Sequence, residues 1–143
     1  NGFEFVNQGN YWVSKIGEFE YGFEYLPNEL EMIKSIPLAN ESFSGKVYII
    51  FNPTEFSENS LELIKLKQFL FSKGAIASLA CVKEDGCGNI PILNCNNVNK
   101  GVYLVLGNKT EIYKENNCIV LESVPGEEDL LINRFMYGLL GVM

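Results

Sequence analysis

Strict alternation of apolar and polar positions occurs once in the chain. Phe19, Tyr21, Phe23 and Tyr25 interleave with Glu18, Glu20, Gly22 and Glu24. A period of two sends the two sets to opposite sides of a strand, so one aromatic face is expected to be buried and one acidic face wet. Leu26-Pro27 ends the pattern. Tyr11 to Ile16 just before it is rich in strand formers, and Gly17 can supply a turn, which predicts an N-terminal hairpin. Asn28 to Lys34 reads as a short helix closed ahead of Pro37, followed by polar loop from Leu38 to Gly45.

Elsewhere apolar residues come as short unbroken runs, the mark of strands covered on both faces. Lys46 to Phe51 is the first, broken by Asn52-Pro53. A helix is predicted from Glu58 to Lys73 with Ser57 as N-cap and Gly74 as stop. Leu63, Leu66 and Leu70 share one row of it, with Leu61, Ile64 and Phe71 nearby. The second run, Ala75 to Val82, completes a strand–helix–strand unit. Lys83 to Lys100 is a long connection rich in Gly, Asn, Cys and Pro, a kind that is functional, disulfide-tied or disordered; its piece Ile90 to Leu93 is expected to dip into the core. Gly101 to Leu106 is a third strand, and Glu111 to Lys114 with Cys118 to Glu122 form a second hairpin. After Pro125-Gly126, a helix opens on Glu127, Glu128 and Asp129; its stripe of Leu131, Phe135 and Leu139, beside Ile132, Met136 and Leu140, should pack on the sheet. The whole predicts a single α/β domain over residues 1–143. Its sheet is mixed, with a central βαβ unit, antiparallel hairpins near both ends and a C-terminal helix on the sheet.

Composition narrows the chemistry. The chain has no histidine, which removes Ser-His-Asp and Cys-His nucleophilic machinery and the usual near-neutral proton shuttle. The net charge is −7 and Arg134 is the sole arginine, which argues against nucleic acid and anionic membrane surfaces as partners. No run approaches the roughly 18 apolar residues of a membrane span, so no transmembrane segment is expected in this chain. Neither a phosphate-binding glycine loop nor an EF-hand is present around Asp85-Gly86-Cys87-Gly88-Asn89, so no cofactor and no metal are expected. Two carboxylate pairs, Glu84 with Asp85 and Glu128 with Asp129, read as a wet loop and a helix start rather than acid–base centres. No catalytic residue is assigned.

Cys81, Cys87, Cys95 and Cys118 lack the close C-x2-4-C knuckles of a zinc ribbon. Two disulfides fit an exported domain, and four reduced thiols a cytosolic one. Among the three possible pairings, Cys87–Cys95 would staple the long loop and Cys81–Cys118 would join two strands, and this pairing is favoured. Asn40-Glu41-Ser42 and Asn108-Lys109-Thr110 are glycosylation-type sequons at Asn40 and Asn108, both in expected loops.

Several strings carry a resemblance: Phe23-Glu24-Tyr25-Leu26-Pro27 with Glu29 after it, the cysteines around Ile90-Pro91-Ile92, Asn117-Cys118-Ile119-Val120, and the close from Asp129 to Met143. Together they resemble uncharacterised archaeal proteins with an N-terminal membrane anchor and an exported domain. The resemblance implies an outward-facing, extracellular or cell-surface domain; a start at Asn1 rather than Met is compatible with a removed anchor. The expected function is a non-catalytic binding or assembly domain with a protein partner. The alternative is a cytosolic Rossmann-like small-ligand binder or histidine-free enzyme. Its site would lie at the C-terminal ends of the parallel strands, at Asn52 and Thr54 after one strand and Lys83, Glu84 and Asp85 after another.

Overall fold

The computed structural model describes residues 2–83 and 86–143; Glu84 and Asp85 lie outside the described residues. In chain order the strands and helices are β1 (Val6–Asn7), β2 (Trp12–Ile16), β3 (Phe19–Phe23), a 3-10 turn (Pro27–Leu30), β4 (Lys34–Ser35), β5 (Gly45–Phe51), α1 (Leu61–Ser72), β6 (Ala75–Cys81), β7 (Gly101–Leu106), β8 (Glu111–Glu115), β9 (Cys118–Ser123) and α2 (Glu128–Leu139). They build a three-stranded antiparallel sheet, β1-β2-β3, and a six-stranded mixed sheet in the order β4-β8-β9-β7-β5-β6. Neighbours β5, β6, β7 and β9 run parallel, and β8 pairs antiparallel with β9. The fold is the expected α/β domain with a mixed sheet, a β5–α1–β6 unit, hairpins near both ends and a C-terminal helix on the sheet.

The large sheet has two faces, and the chain covers them differently. Val47, Ile49, Phe51, Val102, Leu104, Ile119 and Leu121 face one way into the main core with α1 and α2. Ile50, Ala80 and Val120 point to the other face and pack with Cys95 and Val98 of the long connection, flanked by Tyr48, Tyr103 and Tyr113. A parallel sheet needs both faces buried. The crossovers from β5 to β6 and from β6 to β7 move in opposite directions along the sheet, so connections of one hand fall on opposite faces. The first crossover is α1. The second contains no helix among its described residues, and its loop does the covering. Disulfides Cys81–Cys87 and Cys95–Cys118 tie that loop to the sheet at both ends, with Cα–Cα distances of 6.2 and 5.3 Å.

This corrects the favoured pairing. β9 and β6 are separated by β7 and β5, three strand spacings or about 14 Å, which no disulfide spans. Cys118 is instead met by Cys95, whose carbonyl accepts from Asn117 N at 3.1 Å. Cys81, at the end of β6, closes onto the nearby Cys87. The connection also lies beside β6: Ile92 bridges Cys81, with Cys81 N donating to Pro91 O and Leu93 N donating to Cys81 O, both at 2.9 Å.

Boundaries shift in two places, and two aromatic side chains are more exposed than the pattern suggested. α1 starts at Leu61 behind Ser60, not at Glu58 behind Ser57, because Ser57 spends its Oγ on Asn59 N (3.0 Å) in a preceding turn. The expected helix at 28–34 is only the 3-10 turn Pro27–Leu30, after which Lys34–Ser35 joins the sheet edge beside β8. Phe71 turns away from the core and is 74% exposed, and Phe19 is 50% exposed at the end of the aromatic face where Tyr21 and Phe23 are buried.

On α2, Arg134 is half-buried, and its Nε and Nη1 meet no hydrogen-bond partner among the described residues. Burial lowers its pKa from the usual guanidinium value. Removing such a charge relieves desolvation without breaking a pair. Arg134→Met is therefore expected to raise the urea midpoint, by about 1 kcal/mol in unfolding free energy; a loss of stability would show that the guanidinium has a partner.

Candidate functional site

The small sheet ends at β3, and among the described residues no strand pairs with its outer edge, which is open. Gly17 has φ 67°, the first position of a two-residue turn that closes on the pair Ile16–Phe19. In such a hairpin the closing pair exchanges hydrogen bonds, and so does every second pair after it. Ser14–Tyr21 and Trp12–Phe23 follow in register. Glu20, Gly22 and Glu24 therefore turn their backbone groups outward. The third of these is satisfied, because Glu24 N donates to Asn133 Oδ1 at 2.9 Å. Glu20 and Gly22 face a groove.

The opposite wall is α1. Leu61, Lys65, Gln68 and Ser72 follow one another along a single helix face and line the groove. Its floor is Tyr21 of β3, Phe69 of α1 and Met136 of α2. The volume is about 580 Å³, within the range of ligand sites. Phe19 and Tyr11 stand at its lip, and Tyr11 lies over Gly22 so closely that a Cβ there would meet its ring at 3.3 Å. Tyr21 and Ser72 hydroxyls meet at 3.2 Å across the floor. A smaller cavity of about 350 Å³ lies on the far side of Gln68, between Phe71 and Ile76.

One end of the groove is polar. Lys65 is paired with Glu24 and lies 3.3 Å from Asp129. Asn133, 1% exposed, holds the same corner with four contacts: Oδ1 accepts from Glu24 N and Tyr25 N, and Nδ2 donates to Glu24 Oε1 and Asp129 O. Burial pushes the Glu24 carboxyl up, but the bonds from Lys65 and Asn133 outweigh it and leave its pKa below 4.5. For Lys65, burial works against the ammonium, and Glu24 and Asp129 raise its pKa above 10.5 nonetheless. The depressed Glu24 contributes stability that is present above the unfolded carboxyl value and lost as pH falls through the folded one. The raised Lys65 contributes stability that is present below 10.5 and lost as pH climbs through its folded value. In Glu24→Gln the gap between thermal midpoints at pH 6 and about pH 3 should narrow; an unchanged gap would place the acid sensitivity elsewhere.

The residues expected at the strand ends lie apart from this groove. Asn52 and Thr54 come together in one turn, where Asn52 Oδ1 accepts from Thr54 N at 3.0 Å and Thr54 Oγ1 at 2.8 Å. Lys83 is exposed just beyond β6, and Glu84 and Asp85 lie outside the described residues. The crevice between the ends of β5 and β7 is crossed by Glu55, whose Oε1 accepts from Leu106 N at 3.0 Å. Asn40 and Asn108 both sit exposed in loops. Glu128 and Asp129 open α2, and Glu128 Oε1 accepts from Gly126 N at 2.8 Å. No cluster of His, Cys, Asp or Glu that could hold a metal occurs among the described residues, and no helix there is long and apolar enough to cross a membrane.

Sequence reasoning did not single out Lys65, Gln68 or Asn133, and placed Met136 only in the helical stripe expected on the sheet. A signal existed for α1: Leu61, Leu63, Ile64, Leu66, Phe69, Leu70 and Phe71 are too many apolar residues in twelve for one buried stripe. Asn133, a polar residue at the border of the apolar stripe of α2, was the other.

A scan of protein-family models finds none that matches the chain, and comparisons with curated proteins and with solved structures find no match either.

Proposed function

We propose that the chain is a non-catalytic binding domain of an exported or surface-attached protein, and that it meets its partner at the groove between β3 and α1. The observation that carries the reading is the groove itself. It is apolar and about 580 Å³ in volume, with exposed rings at its lip and unpaired strand backbone along one wall. Large exposed apolar surface of this kind marks contact sites. Two disulfides favour an oxidising compartment, where such bonds persist. The resemblance to anchored archaeal proteins points the same way. The lack of histidine supports a role in binding rather than turnover.

The test is a random peptide-display selection on the oxidised protein, repeated on Gln68→Trp. Gln68 is exposed on the groove wall, so an indole there fills the groove without replacing a core side chain. Binders enriched on the native protein are expected to lose binding to Gln68→Trp. Enriched binders indifferent to that change would move the contact surface elsewhere.

A second reading has one observation in its favour. The order β7-β5-β6 reverses direction at β5, the place where open α/β sheets hold small ligands. It would use Asn52, Thr54 and Lys83 in a cytosolic small-ligand binder. A thermal-shift panel of nucleotides and metabolites that leaves the melting point unmoved would count against it.

A further inference from the structure

We infer that the groove takes its partner as an added β-strand: an extended segment of another protein, with alternating apolar and basic residues, lies along β3 and hydrogen-bonds to Glu20 and Gly22. The inference rests on the groove being the contact surface and specifies how it is used.

Three observations converge on this occupant. The first is backbone. Glu20 and Gly22 each present an N–H and a C=O to the groove, two residues apart in the same strand. That spacing repeats at about 6.7 Å, the repeat of a second strand's own backbone groups. A compact small molecule does not offer that ladder; an extended peptide does, and strand addition to an open edge is an established mode of recognition. The second is length. β3 has five residues and α1 twelve, so both walls run about 17–18 Å, room for roughly five residues of extended chain.

The third is polarity. A residue of the added strand opposite Tyr21 points inward, over Phe69 and Met136, and must be apolar. A residue opposite Glu20 points to the outer face beside that carboxylate, which is exposed, faces Lys15 only on its β2 side and forms no ion pair among the described residues. With a net charge of −7 over the whole chain, a basic residue is the complement. The same charge disfavours a second copy of β3 as the occupant, since Glu18, Glu20 and Glu24 would recur on it. Gly22 fits the scheme as well: lacking a Cβ, it leaves room for the Tyr11 ring, which a Cβ would meet at 3.3 Å.

The probe is a capped heptapeptide of alternating lysine and valine, with two N-methylated versions that block its odd or its even backbone amides. A strand added to β3 uses one edge only. One methylated version is therefore expected to bind about tenfold weaker for each hydrogen bond lost, and the other as well as the parent. Amide exchange at Glu20 and Gly22 should slow when the parent peptide is bound. Glu20→Lys, an exposed change, should weaken the lysine peptide about three- to tenfold and favour a glutamate–valine peptide instead. Equal effects of the two methylation patterns, or unprotected Glu20 and Gly22 amides in a complex that Gln68→Trp abolishes, would overturn strand addition and leave the groove as the contact surface. No binding of any of these peptides, with display binders still lost on Gln68→Trp, would overturn it in the same way. Protection of these amides that rises with protein concentration and no peptide present would replace it by self-pairing. If neither the peptides nor the display binders respond to Gln68→Trp, the groove reading itself falls.

Discussion

Replacing Cys95 and Cys118 together by alanine is expected to lower the free energy of unfolding by about 3 kcal/mol, from the chain entropy released when a closed loop of this size is opened. The sequence separation is 23 residues, against 6 for Cys81–Cys87. The same relation gives about 2 kcal/mol for the shorter loop, so the two double mutants should rank in that order in urea unfolding of the oxidised proteins. More than entropy rests on the longer bridge. Cys95 and Val98 cover Ile50, Ala80 and Val120 on the loop-covered face of the sheet. Gly101 is pressed close enough to this site that a Cβ there would sit 3.0 Å from Cys118 Sγ and 3.2 Å from Val98. Opening the bridge should therefore also speed exchange of the amides that hold the loop, such as Asn117 N on Cys95 O. A larger loss from Cys81 and Cys87 would mean that local packing, not loop length, sets the stabilisation.

The same region shows why part of the fold was readable and part was not. Unbroken apolar runs and a helical stripe located β5, α1, β6, β7 and α2, because burial on both faces leaves a local mark on each segment. Disulfide partners leave no such mark. Pairing depends on strand order, and only the placement of β7 and β5 between β6 and β9 rules out Cys81 with Cys118. The use of a loop instead of a helix to cover the second face was visible only as an oddly long, cysteine-bearing connection. The groove was still less legible. The alternation in β3 placed Tyr21 and Phe23 inward, but whether β3 is central or at an edge is a tertiary fact. Its acidic stripe read as a solvated face, and the part of Glu24 that is bound to Lys65 and Asn133 depends on residues more than forty and a hundred positions away. Surplus apolar residues on α1, together with Asn133 beside the apolar stripe of α2, were the local signs that a second surface existed.

Asn133→Leu is expected to be the most damaging single change near the groove, at about 3 kcal/mol or more, since each buried donor left unpaired costs about 1–3 kcal/mol. Leucine matches asparagine in branching and suits the apolar stripe of α2, so a simple hydrophobic argument would favour the change. The contacts argue otherwise. Asn133 Oδ1 holds Glu24 N at 2.9 Å and reaches Tyr25 N at 3.4 Å, and its Nδ2 steadies the Glu24 carboxylate at 2.9 Å. It is the polar pin that fastens the open end of β3 onto α2. Removing it orphans Glu24 N, takes one donor from a partly buried carboxylate that keeps Lys65, and leaves the contact with α2 to the stack of Phe23 on Tyr137 at 4.1 Å and the bond from Tyr137 Oη to Tyr25 O at 2.5 Å. The large sheet does not depend on this pin. Amide exchange should therefore separate the two layers, with β2 and β3 losing protection while β5, β7 and β9 keep theirs at low denaturant. Asn133→Asp keeps the acceptor for Glu24 N but sets a like charge against Glu24, so it should recover little of the loss at pH 7 and more as the carboxyls protonate. Uniform loss of protection across both sheets in Asn133→Leu would show that the small sheet and the large one unfold as one unit, and that β3 cannot be loosened for a partner without cost to the whole domain.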